Sequence, residues 1–330
     1  MAENVLVKLD NVKKYFPVKE GFQTRYLKAL DGISLEIRKG ETMGLVGESG
    51  CGKSTLGRVL LRLLEKTEGS VYFNDKDVYG IKNKELIQLR RSMQIIFQDP
   101  LASLNPKMRI RQIVEEPLRF HSKQMGINFH DKAMVRKMVD EVLTTVGLSP
   151  EVAERYPHEF SGGQQQRIGI ARALILKPSF LVCDEMVSAL DVSVQAQVLN
   201  LMQDLKREYQ LTFLFISHNL SVVKHICDRI AVMYLGKIVE IADKRTLFEN
   251  PLHPYTKALI SSIPIPDPDR RRNRILMEGD LPSPLNPPAG CRCHTRCVEC
   301  QESCSSEEPM LREIEAGHFV ACHVVTGGKS

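Results

Sequence analysis

The run Gly47-Glu48-Ser49-Gly50-Cys51-Gly52-Lys53-Ser54-Thr55 constrains this chain more than any other stretch, because it fits the phosphate-binding loop pattern and has a strand signal before it and a helix signal after it. Thr42-Met43-Gly44-Leu45-Val46 is a short apolar run, and Leu56, Val59, Leu60, Leu63 and Leu64 recur at helical spacing. Glycines let successive backbone N–H groups turn inward around phosphates, and the opening helix adds its positive end. In that setting Lys53 reaches the outer phosphates and Ser54 ligates magnesium, so the chain is expected to bind a nucleoside triphosphate. Cys51 lies inside the loop, beside Lys53 and just ahead of a helix, and its thiolate is expected to be favoured by that positive potential. The alternative for Cys51 is a small residue that fills a tight turn.

At 330 residues the chain is long enough to bury a substantial core and to form more than one domain. The net charge of +5 is modest and dispersed, which argues against a nucleic-acid partner. Its one basic clump, Arg270-Arg271-Arg272 with Arg274, falls in a stretch that reads as linker. Met1 to Lys8 has no secretory pattern, and no window approaches ~18 uninterrupted apolar residues. Neither an export signal nor a membrane span is expected, and the chain is expected in the cytosol. A role in transport would then require another subunit to supply the pore.

Residues 4–46 alternate as short strands do, at Val5-Leu6-Val7 and Ile33 to Ile37, which predicts a β-rich opening lobe. Ser70 to Phe73 and Met93 to Phe97 read as further strands, with a short polar helix at Leu86 to Arg91. The texture changes from about 101 to 165, where Ile110 to Phe120 and Lys132 to Val146 are helical; this predicts an inserted helical subdomain. A helix from Gly163 to Leu176 leads into alternating elements at Phe180 to Cys183, Val194 to Tyr209, Leu211 to Ile216 and Ile230 to Tyr234. That alternation predicts a parallel sheet covered on both faces. The expected division is 1–262 for the nucleotide-binding domain, 263–290 for a Pro-rich linker and 291–330 for a Cys-rich region.

Phe180-Leu181-Val182-Cys183-Asp184-Glu185 is an apolar strand ending in two carboxylates. Beside a bound triphosphate, Asp184 would hold magnesium and Glu185 would polarise the attacking water as general base; taken alone, the pair fits an acidic turn as well. Phe213 to Ser217 delivers His218 at the carboxyl edge of a strand, where open α/β sheets bind ligands, within reach of a γ-phosphate. Phe160-Ser161-Gly162-Gly163-Gln164-Gln165-Gln166-Arg167 places Ser and two Gly at a helix start, a second terminus suited to phosphate. One nucleotide seldom needs two such sites from one subunit, so a dimer is expected.

From about residue 4 to 262 the chain resembles the ATP-binding cassettes of ABC transporters. The phosphate loop, a Q-loop glutamine at Gln98, the signature Ser161 to Gln164, the magnesium strand to Asp184, the D-loop Ser188-Ala189-Leu190-Asp191 and the switch histidine His218 occur in order. The resemblance implies an α/β fold of the P-loop NTPase type, with a β-rich N-terminal subdomain, an inserted helical subdomain and a small Cys-rich C-terminal appendage. It implies ATP and Mg2+ as ligands, the metal held by Ser54, Gln98 and Asp184, and the phosphates cradled by Gly47, Ser49, Gly50, Cys51, Gly52, Lys53, Ser54 and Thr55. Glu185, His218 and Gln98 serve hydrolysis, and Phe16 stacks on adenine, with Tyr15 and then Tyr26 behind it. Two cassettes close head to tail, so that Ser161, Gly162, Gly163 and Gln164 of one cover the γ-phosphate held by Lys53 of the other. Phe160 and Met186 stand where Leu and Pro are commoner.

Within that family, Phe97 to Pro106, Tyr156 to Phe160, Asn250-Pro251-Leu252-His253-Pro254-Tyr255-Thr256 and Leu281-Pro282-Ser283-Pro284 through Cys291 look like the dipeptide/oligopeptide permease branch. This implies the second of two ATPase subunits in a peptide importer, at the cytoplasmic face of the membrane. Its partners would be a homologous ATPase, two membrane permease subunits docking near residues 98–110, and an extracytoplasmic solute-binding protein. Importers of nickel, heme or other small solutes share the design, so the cargo stays open, as, more distantly, does a soluble ABC ATPase. Six of the nine cysteines crowd residues 291–322, which in a reducing cytosol points to metal. Cys291, Cys297, Cys304 and Cys322 match the pattern that this branch associates with a 4Fe-4S cluster. Zinc, with Cys293 or Cys300 in its shell, and no metal at all are the alternatives.

Overall fold

The computed structural model describes residues 4–263 and 275–327, which divide into two compact units, one built from the chain up to residue 79 and from 215 onward, the other from residues 80–214. The first unit opens on β1 (Val5–Glu20) and β2 (Gln23–Arg38), paired antiparallel from Val5 opposite Arg38 to Glu20 opposite Gln23. Near the base of this hairpin the side chains alternate as a half-buried sheet requires: Val7, Leu9, Ile33, Leu35 and Ile37 are buried, while Lys8 and Glu36 form an outward ion pair at 2.7 Å. Burial fades beyond Val12, yet the hairpin continues to a turn carrying a fully exposed Phe22. The expectation of short strands is therefore corrected, because cross-strand pairing sustains two 16-residue strands past the core. β3 (Thr42–Val46), buried at every residue, feeds the phosphate loop and then α1 (Lys53–Leu60). β4 (Glu68–Phe73) and β5 (Lys76–Asp77) complete a sheet in the order β2-β1-β4-β5.

The second unit contains α2 (Asn83–Ser92), β6 (Met93–Ile96), α3 (Pro100–Ser103), α4 (Ile110–Met125), α5 (Lys132–Thr145), α6 (Gly162–Leu174), β7 (Phe180–Asp184) and α7 (Val192–Tyr209). β6 and β7 are parallel, Met93 opposite Phe180 and Ile96 opposite Cys183, and all five residues of β7 are buried. α4 buries Ile110, Ile113, Val114 and Leu118, and α5 buries Val135, Val139 and Leu143, each set lying on one helical face. The helical insertion therefore has its own core. Pro117 sits inside α4 without ending it, because the apolar stripe on both sides of Pro117 offsets the missing N–H.

β8 (Thr212–Ser217) begins in the second unit and ends in the first, where α8 (Leu220–Ile226), β9 (Arg229–Tyr234), β10 (Lys237–Asp243), α9 (Lys244–Glu249) and α10 (Pro254–Ser261) follow. β9 runs parallel to β3 and antiparallel to β10. The carboxy-terminal segment folds onto the same unit: β11 (Arg312–Glu315) and β12 (His318–Val320), followed by α11 (His323–Thr326), extend the order to β11-β12-β10-β9-β3. Fully buried Glu240 of β10 fastens the join, with His318 Nε2 at 2.7 Å and the N–H groups of Leu252 and His253 at 2.8 and 2.9 Å. The linker expected over 263–290 falls partly, and the clump Arg270-Arg271-Arg272 with Arg274 wholly, outside the described residues. No helix among the described residues is long and apolar enough to cross a membrane.

Candidate functional site

In the first unit, local crowding dictates the ends of the phosphate loop. A Cβ at Gly47 would lie 2.1 Å from the Met233 carbonyl oxygen, and one at Gly52, where φ is +107°, would lie 2.2 Å from that of Ala29. The chain curls between them, and Lys53, the first residue of α1 and only 4% exposed, donates from Nζ to the Gly47 and Glu48 carbonyls at 2.8 and 2.9 Å. Ser49 and Gly50 are exposed at the rim, while Ser54 and Thr55 lie half-buried in the first turn of α1, which carries no acidic residue. A buried ammonium and an unopposed helix N-terminus within one curl of backbone favour an anion.

Cys51 departs from expectation. Its thiol is buried, and burial pushes its pKa up in spite of the Lys53 ammonium 3.9 Å from the sulfur. The favoured thiolate is therefore corrected to a neutral thiol that fills a tight turn. Phe16 and Tyr15 are neighbours on β1 with different commitments: the Tyr15 hydroxyl donates to Asp31, whereas half-buried Phe16 has Lys14 Nζ 4.8 Å from its ring centre. Tyr26 is 55% exposed, opposite Pro17. His218 is exposed immediately after β8, ahead of Asn219, which caps α8 by accepting the N–H groups of Ser221 and Val222 at 3.0 and 3.4 Å.

In the second unit, β6 ends at Ile96 and Asp99 caps α3 by accepting the Ala102 N–H at 3.0 Å, with Pro100 at the first helical position. Gln98 is held between those fixed points, and its Nε2 donates to Glu185 Oε2 at 3.0 Å. Asp184 ends β7 with its side chain buried. Glu185 follows at φ +47°, a left-handed conformation that costs a non-glycine residue about 1 kcal/mol or more. The Ser188 N–H and hydroxyl donate to the Glu185 carbonyl at 3.0 and 2.9 Å and hold that turn. Ser161 and Gln164 cap α6 reciprocally, the Gln164 N–H donating to Ser161 Oγ at 3.4 Å and the Ser161 N–H to Gln164 Oε1 at 3.1 Å. Exposed Gly162 and buried Gly163 form the first turn. The fold thus joins Gln98 to Glu185 and Lys53 to its loop, places Asp184 and His218 at strand ends and Ser54, Thr55 and Ser161 to Gln164 at helix starts, and leaves Phe16 within β1.

The ABC transporter family model matches residues 30–188, and the model of the oligopeptide/dipeptide transporter C-terminal region matches residues 239–304. The oligopeptide transport ATP-binding protein AppF of Bacillus subtilis is 51% identical, over 98% of this chain and 98% of its own length. The chain belongs to the ABC transporter ATPases, in their oligopeptide/dipeptide branch. OppF of Salmonella typhimurium, also an oligopeptide transport ATP-binding protein, is 51% identical over 96% of both chains. The solved dimer of the ATP-binding cassette MJ0796, in a post-hydrolysis state with ADP and Pi, matches at a TM-score of 0.64 and 31% identity, over 73% of this chain and 99% of that one. As an ABC transporter ATPase the chain hydrolyses ATP in support of transport.

Sequence reasoning gave the Asn250 to Thr256 motif no chemistry, and missed that it braces the phosphate loop of this ABC ATPase. The hydroxyl of fully buried Tyr255 accepts the Glu48 N–H at 2.9 Å. His253 caps α10 by accepting the Tyr255 N–H on Nδ1 at 3.0 Å. The Cys-rich segment also reaches the loop. Arg296 Nη1 lies 3.2 and 3.0 Å from the two Glu48 carboxylate oxygens, and Arg292 donates to Asp31 and to the Leu235 carbonyl.

The cysteines of that segment are unequal: Cys291, Cys293, Cys304 and Cys322 are buried, Cys297 is half-buried and Cys300 is exposed. Cys291 lies within electrostatic reach of Cys297, Cys304 and Cys322, and burial pushes its pKa up to about 12. Its N–H donates to the Cys304 carbonyl at 2.9 Å. Among the described residues no three His, Cys, Asp or Glu side chains are grouped as metal ligands, for zinc or for a cluster.

Proposed function

We propose that this ABC ATPase energises the import of di- and oligopeptides. The observation that carries the cargo is the match, at about half identity over nearly the whole chain, to oligopeptide transport ATP-binding proteins. On this reading Gly47, Ser49, Gly50, Cys51, Gly52 and Thr55 present backbone N–H groups to the phosphates, Lys53 neutralises the outer ones and Phe16 stacks on adenine. The Ser54 hydroxyl, the Gln98 amide and the Asp184 carboxylate are hard oxygen donors suited to Mg2+, which neutralises charge on the β- and γ-phosphates when bound. Glu185, oriented by Gln98, takes the proton of the attacking water, and His218 contacts the γ-phosphate. Ser161, Gly162, Gly163 and Gln164 serve the nucleotide of a partner cassette, a homologous ATPase rather than a second copy. Two permease subunits dock near residues 98–110, an extracytoplasmic solute-binding protein delivers peptide, and the chain works from the cytoplasmic face of the membrane.

Proteoliposomes holding this chain, the second ATPase, the permease pair and the binding protein test the reading. ATP-dependent uptake of labelled tri- to pentapeptides is expected, and Glu185→Gln should lower hydrolysis about 10²–10⁴-fold while nucleotide binding persists. Uptake of nickel or heme without peptide would overturn the cargo assignment.

The Cys-rich segment is read as the seat of a 4Fe-4S cluster on Cys291, Cys297, Cys304 and Cys322, because their spacing resembles the pattern of the oligopeptide/dipeptide branch and four thiolates are what such a cluster needs. Anaerobically purified protein should be brown, with broad absorbance near ~400 nm and stoichiometric iron and sulfide. Colourless protein retaining one zinc would overturn the assignment.

A further inference from the structure

We propose that Arg296 is a positioning residue for ATP binding, through which the Cys-rich carboxy-terminal segment sets the shape of the phosphate loop. The inference rests on the reading that Gly47 to Thr55 holds the phosphates, and extends it to a segment with no nucleotide chemistry of its own. Glu48, the second residue of the loop, is anchored at three points. Its carboxylate receives Arg296 Nη1 at 3.2 and 3.0 Å, its N–H donates to the Tyr255 hydroxyl at 2.9 Å, and its carbonyl accepts Lys53 Nζ at 2.9 Å. The third contact matters most, because the ammonium expected to meet the outer phosphates is held by the same residue that Arg296 holds.

Each anchor is itself fixed. Tyr255 is fully buried and packs edge-on against Tyr234, ring centres 4.7 Å apart and planes at 65°. Arg296 is mostly covered, its side chain 12% exposed, and donates from Nε to the Gly279 carbonyl at 3.2 Å. It ends the 3₁₀ turn His294–Arg296, which the Arg296 N–H closes on the Cys293 carbonyl at 3.0 Å, and Cys297 follows directly. Arg292, between Cys291 and Cys293, makes a parallel attachment to Asp31, which also accepts the Tyr15 hydroxyl beside Phe16. Two arginines embedded among cysteines thus hold two acidic residues of the nucleotide-binding lobe. Charge-assisted hydrogen bonds in partly covered surroundings are the strong kind, and losing one is enough to move an equilibrium about tenfold.

The test uses the full-length chain and equilibrium binding of fluorescent trinitrophenyl-ATP, with ATPase kinetics in the assembled complex. Arg296→Ala and Glu48→Ala should each raise the nucleotide Kd and the KM for ATP about tenfold, and Arg296→Ala should keep kcat within about twofold of wild type. The double variant should be no worse than either single one, and Arg296→Lys should recover part of the loss. Unchanged affinity in Arg296→Ala, or effects that add in the double variant, would overturn the proposal. If Arg296→Ala does not fold, Glu48→Gln decides: a Kd raised several-fold supports the clamp and a wild-type Kd refutes it. Lys53→Ala separates this inference from the reading beneath it. Binding lost in Lys53→Ala but kept in Arg296→Ala refutes the clamp alone, whereas binding kept in Lys53→Ala refutes the loop assignment.

Discussion

His253 shows how completely surroundings can set the charge of one residue. It is almost wholly buried, its Nδ1 already accepts the Tyr255 N–H, and burial, aided by the nearby Lys257 charge, holds its pKa down to about 3. The unfolded chain takes up that proton near pH ~6.5 and the folded chain does not. The His253 contribution is therefore fully present above pH ~6.5 and is lost as the pH falls towards about 3, at ~1.4 kcal/mol per unit, or about 2 kcal/mol by pH 5. Urea denaturation at pH 7 and pH 5 measures the loss, and His253→Asn, which keeps a capping side chain, should flatten it. Cys51 obeys the same physics with the opposite charge type. Maleimide should react with it slowly in the folded protein whether or not Mg-ATP is present, and rapid nucleotide-protected labelling would contradict the buried thiol.

At the scale of elements, the α6 terminus joins stability to proposed function. Ser161→Ala removes the reciprocal cap with Gln164 and should cost the folded chain about 1 kcal/mol, read as a small drop in Tm. If Ser161 also meets a partner's nucleotide, ATP-driven pairing of the two ATPases should fall far more than that drop explains. Elements with a strong local pattern could be read directly from the residues. The apolar run predicts β7 at Phe180 to Cys183, and it spans Phe180–Asp184; the helical spacing predicts α5 at Lys132 to Val146, and it spans Lys132–Thr145. β11 left no such mark, because all four of its residues are exposed and it is held by backbone pairing to β12. The site divides in the same way. Glycine-rich curls and capped helix starts are local requirements and can be seen in a motif, whereas the partners of Glu48 come from 207 and 248 residues away and carry no local signature.

For the whole molecule, the carboxy-terminal segment is structural as well as attached. Ending the chain at residue 263 would strip Arg292 from Asp31, Arg296 from Glu48 and His318 from fully buried Glu240. Leaving a buried charge without its partner costs about 3–5 kcal/mol, so the shortened chain should aggregate or melt well below the full one; a soluble product with unchanged Tm would refute this. The division into units has a further consequence, one of timing. The second unit is a single continuous run, but the first cannot close until strands and arginines from the far end arrive, Asp31 meeting Arg292 across 261 residues. A ribosome delivers the amino-terminal lobe first, yet the middle of the chain is finished before it. During synthesis, the β1–β2 hairpin waits unsealed and β3 waits without its partner β9, and it is there that a nascent chain of this protein most needs a chaperone.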